Sequence, residues 1–346
     1  LRCAKVINNA KNAAIIVGSS CSRSNAIDQI NQFVDKTGFP VFATFLGKGV
    51  VSHKNNNFCG VLSRHSKKIK EILSSQDVII NIGFDVVEGI TPDIWDGAKS
   101  VLHIDSSPPT GGGIYNPDLE VIGPIAETLP AIVDNLSRDS YTSDKSEYRV
   151  TYEEPCLDSF PYHPAAVPTV LSEKVENCII IPDVGMHKQY VGFHYKSSRP
   201  NEVLFSNGFS SMGFSFPAAI GAKYSRPDFN VIAVTGDGGF QMNIQELATA
   251  VENGLGILII VMNDNALGMV KLRQTEATDT VYGATYDHQT NYSEISKSYG
   301  GLGLRLESHH NLQEEILSAL SECNEKSLPF VLDVPIKQYT DIKGIK

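Results

Sequence analysis

The sequence has no surplus of positive charge. Its 346 residues carry 29 Lys and Arg against 39 Asp and Glu, a net charge of −10, with a pI near 5.4. That balance argues against nucleic acid or an anionic membrane surface as the main partner, although loop amides or a metal can still hold a small anion locally. Paired cysteines are missing too. Cys3, Cys21, Cys59, Cys156, Cys178 and Cys323 are scattered and form no CxxC, so reduced thiols are expected rather than a disulfide frame or a zinc site. No apolar run approaches the ~20 residues of a membrane span and no signal peptide is evident, so a cytoplasmic setting is expected. Low-complexity tracts and short repeats are absent. So is an initiator Met: "LRCAKVINNAKNAAIIVG" reads as a helix entered midway, and a fragment or processed piece of a longer protein is expected.

What is present is an α/β pattern on a scale of about two domains. Short apolar strands read at 13–18, 40–44, 77–83 and 100–105. Between them, Ile27, Ile30 and Val34 share a helical face that stops at Gly38, and Pro124 opens a further helix. Residues 138–163 are polar and aperiodic and read as a linker between a domain at 1–137 and another at 164–346. The second series has strands near 178–182, 202–206, 230–235, 256–262 and 329–334. Its helices read near 164–176, 212–224, 240–252 and 311–322. Strands alternating with helices imply two doubly wound parallel sheets, and ligands in such sheets sit at the carboxyl ends of the strands.

Two loops at such ends draw attention. After "VIAVT" comes Gly236-Asp237-Gly238-Gly239, then a helical pattern with Ile244, Leu247, Ala248 and Val251 on one face. After "GILIIVM" comes "NDNALGMV". If the two strands are neighbours, Asp237 and Asp264 approach one another. Two carboxylates beside a helix start fit a hard cation such as magnesium, shared with substrate phosphates. Equally, Asp237 can cap the helix and Asp264 can form an Asx-turn.

The stretch "GDGGFQMNIQELATAVENGLGILIIVMNDN" resembles the signature of thiamin-diphosphate-dependent enzymes. "DVGMHKQY" (183–190), "SNGFSSMGFSFPAAIGA" (206–222), "LGMV" (267–270) and "PFVLDVPI" (329–336) follow in the family's order. "INIGFDVVEGITPDIW", "LHIDSSP", "NPDLEVIG" and "LFSNG" look like the acetolactate synthase branch, its catabolic, FAD-independent form in particular. The resemblance implies thiamin diphosphate and Mg2+ as cofactors. Asp237, Asp264 and the Ala266 carbonyl would hold the cation; His187, Gly236, Gly238 and Gly239 would hold the diphosphate. Met212 would support the bent cofactor, with Met269 beside it, and the Ser210 carbonyl would accept the bond from the 4′-amino group, only its backbone being needed. His187 as an exposed loop histidine and Met212 as a core methionine are the plain alternatives.

By the same resemblance, the reaction is decarboxylation of pyruvate and carboligation to a second 2-keto acid. Another thiamin-diphosphate decarboxylase, a pyruvate oxidase-like enzyme or a non-catalytic cofactor-binding subunit is the alternative. The family's glutamate against the pyrimidine lies on an N-terminal domain not seen here. A homodimer or homotetramer with a shared active site is therefore expected, and no turnover from this chain alone. Arg273 stands where a substrate-selecting residue is placed; it contacts a substrate carboxylate or forms a surface ion pair. Gly18 and the glycines at 111–113 lack a full GxGxxG, and "GFDVVEG" replaces the flavin branch's acidic stretch, so FAD is not expected.

Overall fold

A computed structural model describes residues 1–63, 66–88, 94, 97–110, 115–137, 145–278 and 280–339. The chain divides into two compact units. One is Leu1–Thr151 with Ser197–Glu202; the other takes Tyr152–Lys196 and the residues from Val203 onward. The polar stretch expected as a linker is thus split. Tyr148 and Val150 pack on an apolar cluster of the first unit, Tyr162 bridges to Ile336 in the second, and 138–144 lie outside the described residues.

The first unit holds β1 (Ala13–Val17), β2 (Val41–Ala43), β3 (Phe58–Val61), β4 (Val78–Ile82), β5 (Ser100–Asp105) and β6 (Leu119–Ile122). They form one parallel sheet in the order β3-β2-β1-β4-β5-β6. β1 and β4 are buried along their whole length, which is why they read as unbroken apolar runs. The helix Ile27–Thr37 buries Ile30, Phe33 and Val34 and ends at Gly38, whose φ of 64° supplies the left-handed turn. Pro124 caps the helix Ile125–Val133.

The second unit holds β7 (Cys178–Pro182), β8 (Asn230–Gly236), β9 (Ile257–Asn263), β10 (Leu302–Arg305) and β11 (Phe330–Pro335), again all parallel, in the order β10-β11-β9-β8-β7. β8 and β9 are direct neighbours, Gly236 opposite Met262, so the two acidic loops emerge side by side.

Three strands escaped the sequence reading. β3 and β10 are four residues long and carry glycine, and β6 is half-exposed with Glu120 in it. The strand expected at 202–206 is not one: Val203 makes a single bridge to Ile180 and the chain runs on irregularly. The helix expected at 240–252 is two pieces, Asp237–Gln241 and Glu246–Glu252. Asn243 lies in the break and donates to the Gly213 carbonyl at 2.7 Å; an Asn side chain so engaged competes with helix continuation. Leu247 and Ala250 are buried behind the break, whereas Ala248 and Val251 of the expected face are only half-buried. All six cysteines are free and five are buried; Cys156 is exposed. Among the described residues no helix is long and apolar enough to cross a membrane.

Candidate cofactor and metal site

The carboxyl ends of β7, β8 and β9 open into one cleft in the second unit. Its walls include His187, Met212, Gly236, Asp237, Gly238, Gly239, Asp264, Ala266 and Met269. Of the residues singled out from sequence, only Ser210 and Arg273 do not line it.

Asp237 is the first residue of the short helix after β8 and is buried. Its Oδ1 accepts from the Gly238 amide at 2.8 Å and its Oδ2 from the Ala266 amide at 3.1 Å. Asp237 therefore ties the β8 turn to the β9 loop as well as facing the cleft. Asp264 is buried one strand away, and its Oδ2 has no hydrogen-bond partner among the described residues. Burial pushes the Asp237 carboxyl up to about 6. It pushes Asp264 up to about 7, with the Asp237 charge adding to the rise. Two carboxylates so placed repel one another and lack solvent, and a cation relieves both terms. Among the described residues no cluster of three or more His, Cys, Asp or Glu side chains exists that could hold a metal. A hard ion here would complete its shell from a main-chain carbonyl, water and ligand phosphate, the habit of magnesium. The orphaned Asp264 oxygen fits that use.

His187 is buried, not an exposed loop histidine, and its Nε2 has no partner among the described residues. Burial lowers its pKa to about 4, and a ring N–H meets the Asp183 backbone carbonyl, so the neutral ring leaves Nε2 as the nitrogen free toward the cleft. Two glycines make room for it. A Cβ at Gly185, where φ is 144°, would lie 2.6 Å from the His187 Cε1, and one at Gly236 would lie 3.1 Å from it.

Met212 is 38% exposed, which rules out a core methionine. It stands over the turn, its Cε 3.6 Å from where a Gly238 Cβ would be. Ser210 holds a left-handed φ of 54°, and its Oγ donates to the Ser206 carbonyl at 3.3 Å and accepts from Lys188 at 3.5 Å. Its side chain, set aside in the sequence reading, is thus engaged. Arg273 pairs with Glu276 at 2.9 Å, both half-exposed, which is the ion-pair alternative. Tyr339 was missed from sequence. It lines the cleft with a buried hydroxyl that has no hydrogen-bond partner among the described residues, and a Cβ at Gly268 would sit 2.6 Å from its ring. Nothing local marks it, since it lies 75 residues beyond Asp264.

In the first unit the strand order reverses between β1 and β4, the usual nucleotide position in this topology. The loops there are joined: Gly18 N donates to Ile82 O at 2.9 Å and Ser20 N to Gly83 O at 3.0 Å. The Ser19 amide donates to Glu88 Oε1 at 2.9 Å. The glycines at 111–113 lie outside the described residues.

Comparison with known proteins places both units in one family. Residues 183–334 match the family model "Thiamine pyrophosphate enzyme, C-terminal TPP binding domain" and residues 1–132 match "Thiamine pyrophosphate enzyme, central domain". The probable acetolactate synthase large subunit of Methanococcus aeolicus is 30% identical over 96% of this chain and 59% of its own length. The acetolactate synthase isozyme 3 large subunit of Escherichia coli K12 is 26% identical over 93% of this chain and 59% of its own. The acetolactate synthase of Bacillus subtilis 168 is 28% identical over 97% and 60%. The chain thus spans about three fifths of these curated relatives. The crystal structure of benzoylformate decarboxylase from Polynucleobacter necessarius shares the fold, with a TM-score of 0.82 at 21% identity, over 98% of this chain and 64% of that one.

Proposed function

This chain carries the central and C-terminal domains of the thiamine pyrophosphate enzyme family, and from that premise we propose an acetolactate synthase-like activity: decarboxylation of pyruvate and carboligation to a second 2-keto acid, with thiamin diphosphate and Mg2+ held in the cleft of the second unit. The observation that carries the reading is the buried Asp237–Asp264 pair, with one carboxylate oxygen unpartnered, facing the exposed Met212 across the GDGG turn.

In this reading Asp237, Asp264 and the Ala266 carbonyl hold the cation. His187 would donate from Nε2 to a diphosphate oxygen once the ring takes up a second proton beside that charge, and Gly236, Gly238 and Gly239 leave the room that the phosphates need. Met212 and Met269 shape the apolar wall, and the Ser210 carbonyl faces the aminopyrimidine. When bound, the cofactor supplies the electron sink for the carbanion left by loss of carbon dioxide. The chain's own contribution is orientation and exclusion of water. Arg273 can turn to a substrate carboxylate by leaving Glu276, because an exposed pair of this kind is worth only about 0–1 kcal/mol. Exposed Phe209, Met212, Met242 and Val270 favour a homodimer or homotetramer that covers this side of the unit. FAD is not part of the proposal: Glu88 and the joined β1 and β4 loops stand where its phosphates would need amides.

Titration calorimetry with thiamin diphosphate, with and without Mg2+, tests the reading. Binding that requires Mg2+ is expected in the native chain. Asp264→Asn should keep it, since an amide oxygen also serves as a hard ligand. Asp264→Ala should weaken it at least ~100-fold, given that even partners outside the ligand set cost 10–100-fold. Equal affinity in the Ala variant would remove Asp264 from the metal site.

A further inference from the structure

The segment Ser206–Phe214 carries Ser210 and Met212 but belongs to no helix or strand. Gly208, Ser210 and Gly213 have φ of 81°, 54° and 82°. A run with three left-handed residues has little conformational preference of its own. Something must hold it, and two side chains from the segment after β7 do so, one at each end.

Asp183 is 1% exposed. Its Oδ2 accepts from the Gly213 amide at 2.9 Å and from the Thr235 hydroxyl at 3.2 Å. Its Oδ1 accepts from the Phe214 amide at 3.3 Å and from its neighbour Val184 at 2.7 Å. One buried carboxylate thereby fixes the exit of the loop and the end of β8. It also packs on the GDGG turn: a Cβ at Gly239 would lie 2.5 Å from Asp183 Oδ2, so the second glycine of that pair is required by Asp183 as much as by any ligand. At the entrance, the buried Lys188 donates from Nζ to Ser206 O at 2.5 Å and to Asn207 Oδ1 at 2.6 Å, and reaches Ser210 Oγ at 3.5 Å. Charge-assisted hydrogen bonds to buried groups are the strong class, and losing one end strands buried partners.

We propose that Asp183 and Lys188 are positioning residues that clamp the Ser206–Phe214 loop at both ends, so that Met212 and the Ser210 carbonyl are set for the cofactor before it arrives. The clamp rests on the proposed cofactor reading for its purpose, but its mechanics belong to the free chain. Hydrogen exchange by mass spectrometry on the free protein therefore tests it separately. Lys188→Met is expected to speed exchange at 206–214 at least tenfold while β8 and β9 stay protected, and Lys188→Arg to restore protection, because a guanidinium can still donate to Ser206 and Asn207. Asp183→Asn, which keeps the size but lacks a second full acceptor oxygen, should loosen Gly213 and Phe214.

With thiamin diphosphate and Mg2+ added, Lys188→Met should weaken affinity about tenfold. It should also diminish the near-ultraviolet circular dichroism of the bound aminopyrimidine, which reports the cofactor's fixed orientation; Lys188→Arg should recover both. Unchanged exchange at 206–214 in Lys188→Met overturns the clamp whether or not the cofactor binds. Faster exchange, in a protein whose native form binds no thiamin diphosphate, keeps the clamp and overturns the cofactor reading instead.

Discussion

The two units are built on the same plan, a parallel sheet with loops at its carboxyl edge, yet their edge glycines serve opposite ends. In the first unit they let backbone meet backbone. A Cβ at Gly18 would lie 2.5 Å from the Gly83 carbonyl oxygen, and one at Gly47 would lie 2.1 Å from the Val17 carbonyl oxygen. In the second unit they let backbone meet side chains that face the cleft or support it. Gly236 lies against His187, Gly238 against Leu267, Tyr286 and Met212, and Gly239 against Asp183 and Thr235. The first edge is closed by its own main chain; the second is held open around carboxylates and an imidazole. A thiamine pyrophosphate enzyme domain and its central companion thus differ less in topology than in what their glycines touch.

If that contrast is right, a methyl group should hurt the two edges in different currencies. Gly47→Ala presses on a strand carbonyl that cannot swing away, so it should destabilise the first unit by about 3 kcal/mol, the upper range for overpacking. Hydrogen exchange should show the loss in β1 and β2. Calorimetric affinity for thiamin diphosphate in the second unit should stay within about twofold of native. A matching loss of affinity would erase the distinction between the edges.

Gly238→Ala should do the reverse with a smaller effect. Its nearest obstacle, 2.4 Å away, is Leu267 Cδ2, the far end of a side chain that can rotate, and Ala is a better helix former than Gly. Stability should therefore change by less than about 1 kcal/mol, read as the denaturant midpoint. The methyl and the displaced Leu267 narrow the cleft beneath Met212, so affinity for thiamin diphosphate should fall about tenfold. A stable variant with native affinity would show that the turn has room to spare.

How much of this was legible beforehand follows from distance along the chain. β1, β4, β8 and β9 read directly because full burial on both faces leaves unbroken apolar runs. Asp237 and Asp264 read because charge at the end of such a run is locally anomalous, and only the neighbouring of β8 and β9 was needed to bring them together. Asp183 did not read, because its partners Gly213 and Thr235 lie 30 and 52 residues away. "DVGMHKQY" stood out through its resemblance and His187, and nothing in it marks Asp183 until those partners are placed. Lys188 was hidden for the same reason, its charge satisfied by two carbonyl-type oxygens and a hydroxyl rather than by an acidic residue. The break at Asn243 is a tertiary override, a local helix preference yielding to a contact with the Gly213 carbonyl; at 202–206 the pairing with Ile180 begins at Val203 and does not extend into a strand. Arg273 is the opposite case. Its substrate-carboxylate reading came from the resemblance and its ion-pair reading from local charge, and the ion pair with Glu276, three residues on, is the contact the fold displays.

The smallest effect probes whether the first edge is truly shut. Glu88 accepts from Ser19 beside Gly18, and burial pushes its carboxyl from 4.5 up to about 7. Between those values the folded chain holds a proton that the unfolded chain has released, so folding stability falls as pH rises from about 5 to about 7.5 and is fully present below about 4.5. Glu88→Gln keeps the acceptor for the Ser19 amide and cannot ionise. Its Tm should match the native protein at pH 4.5, exceed it by a few degrees at pH 8, and show a flatter pH dependence between. Glu88→Ala, which removes the acceptor as well, should lose stability at every pH. If Gln and Glu instead give the same slope, the carboxylate is hydrated, the crevice between β1 and β4 admits water, and the main-chain contacts at Gly18 and Gly83 do not shut this edge.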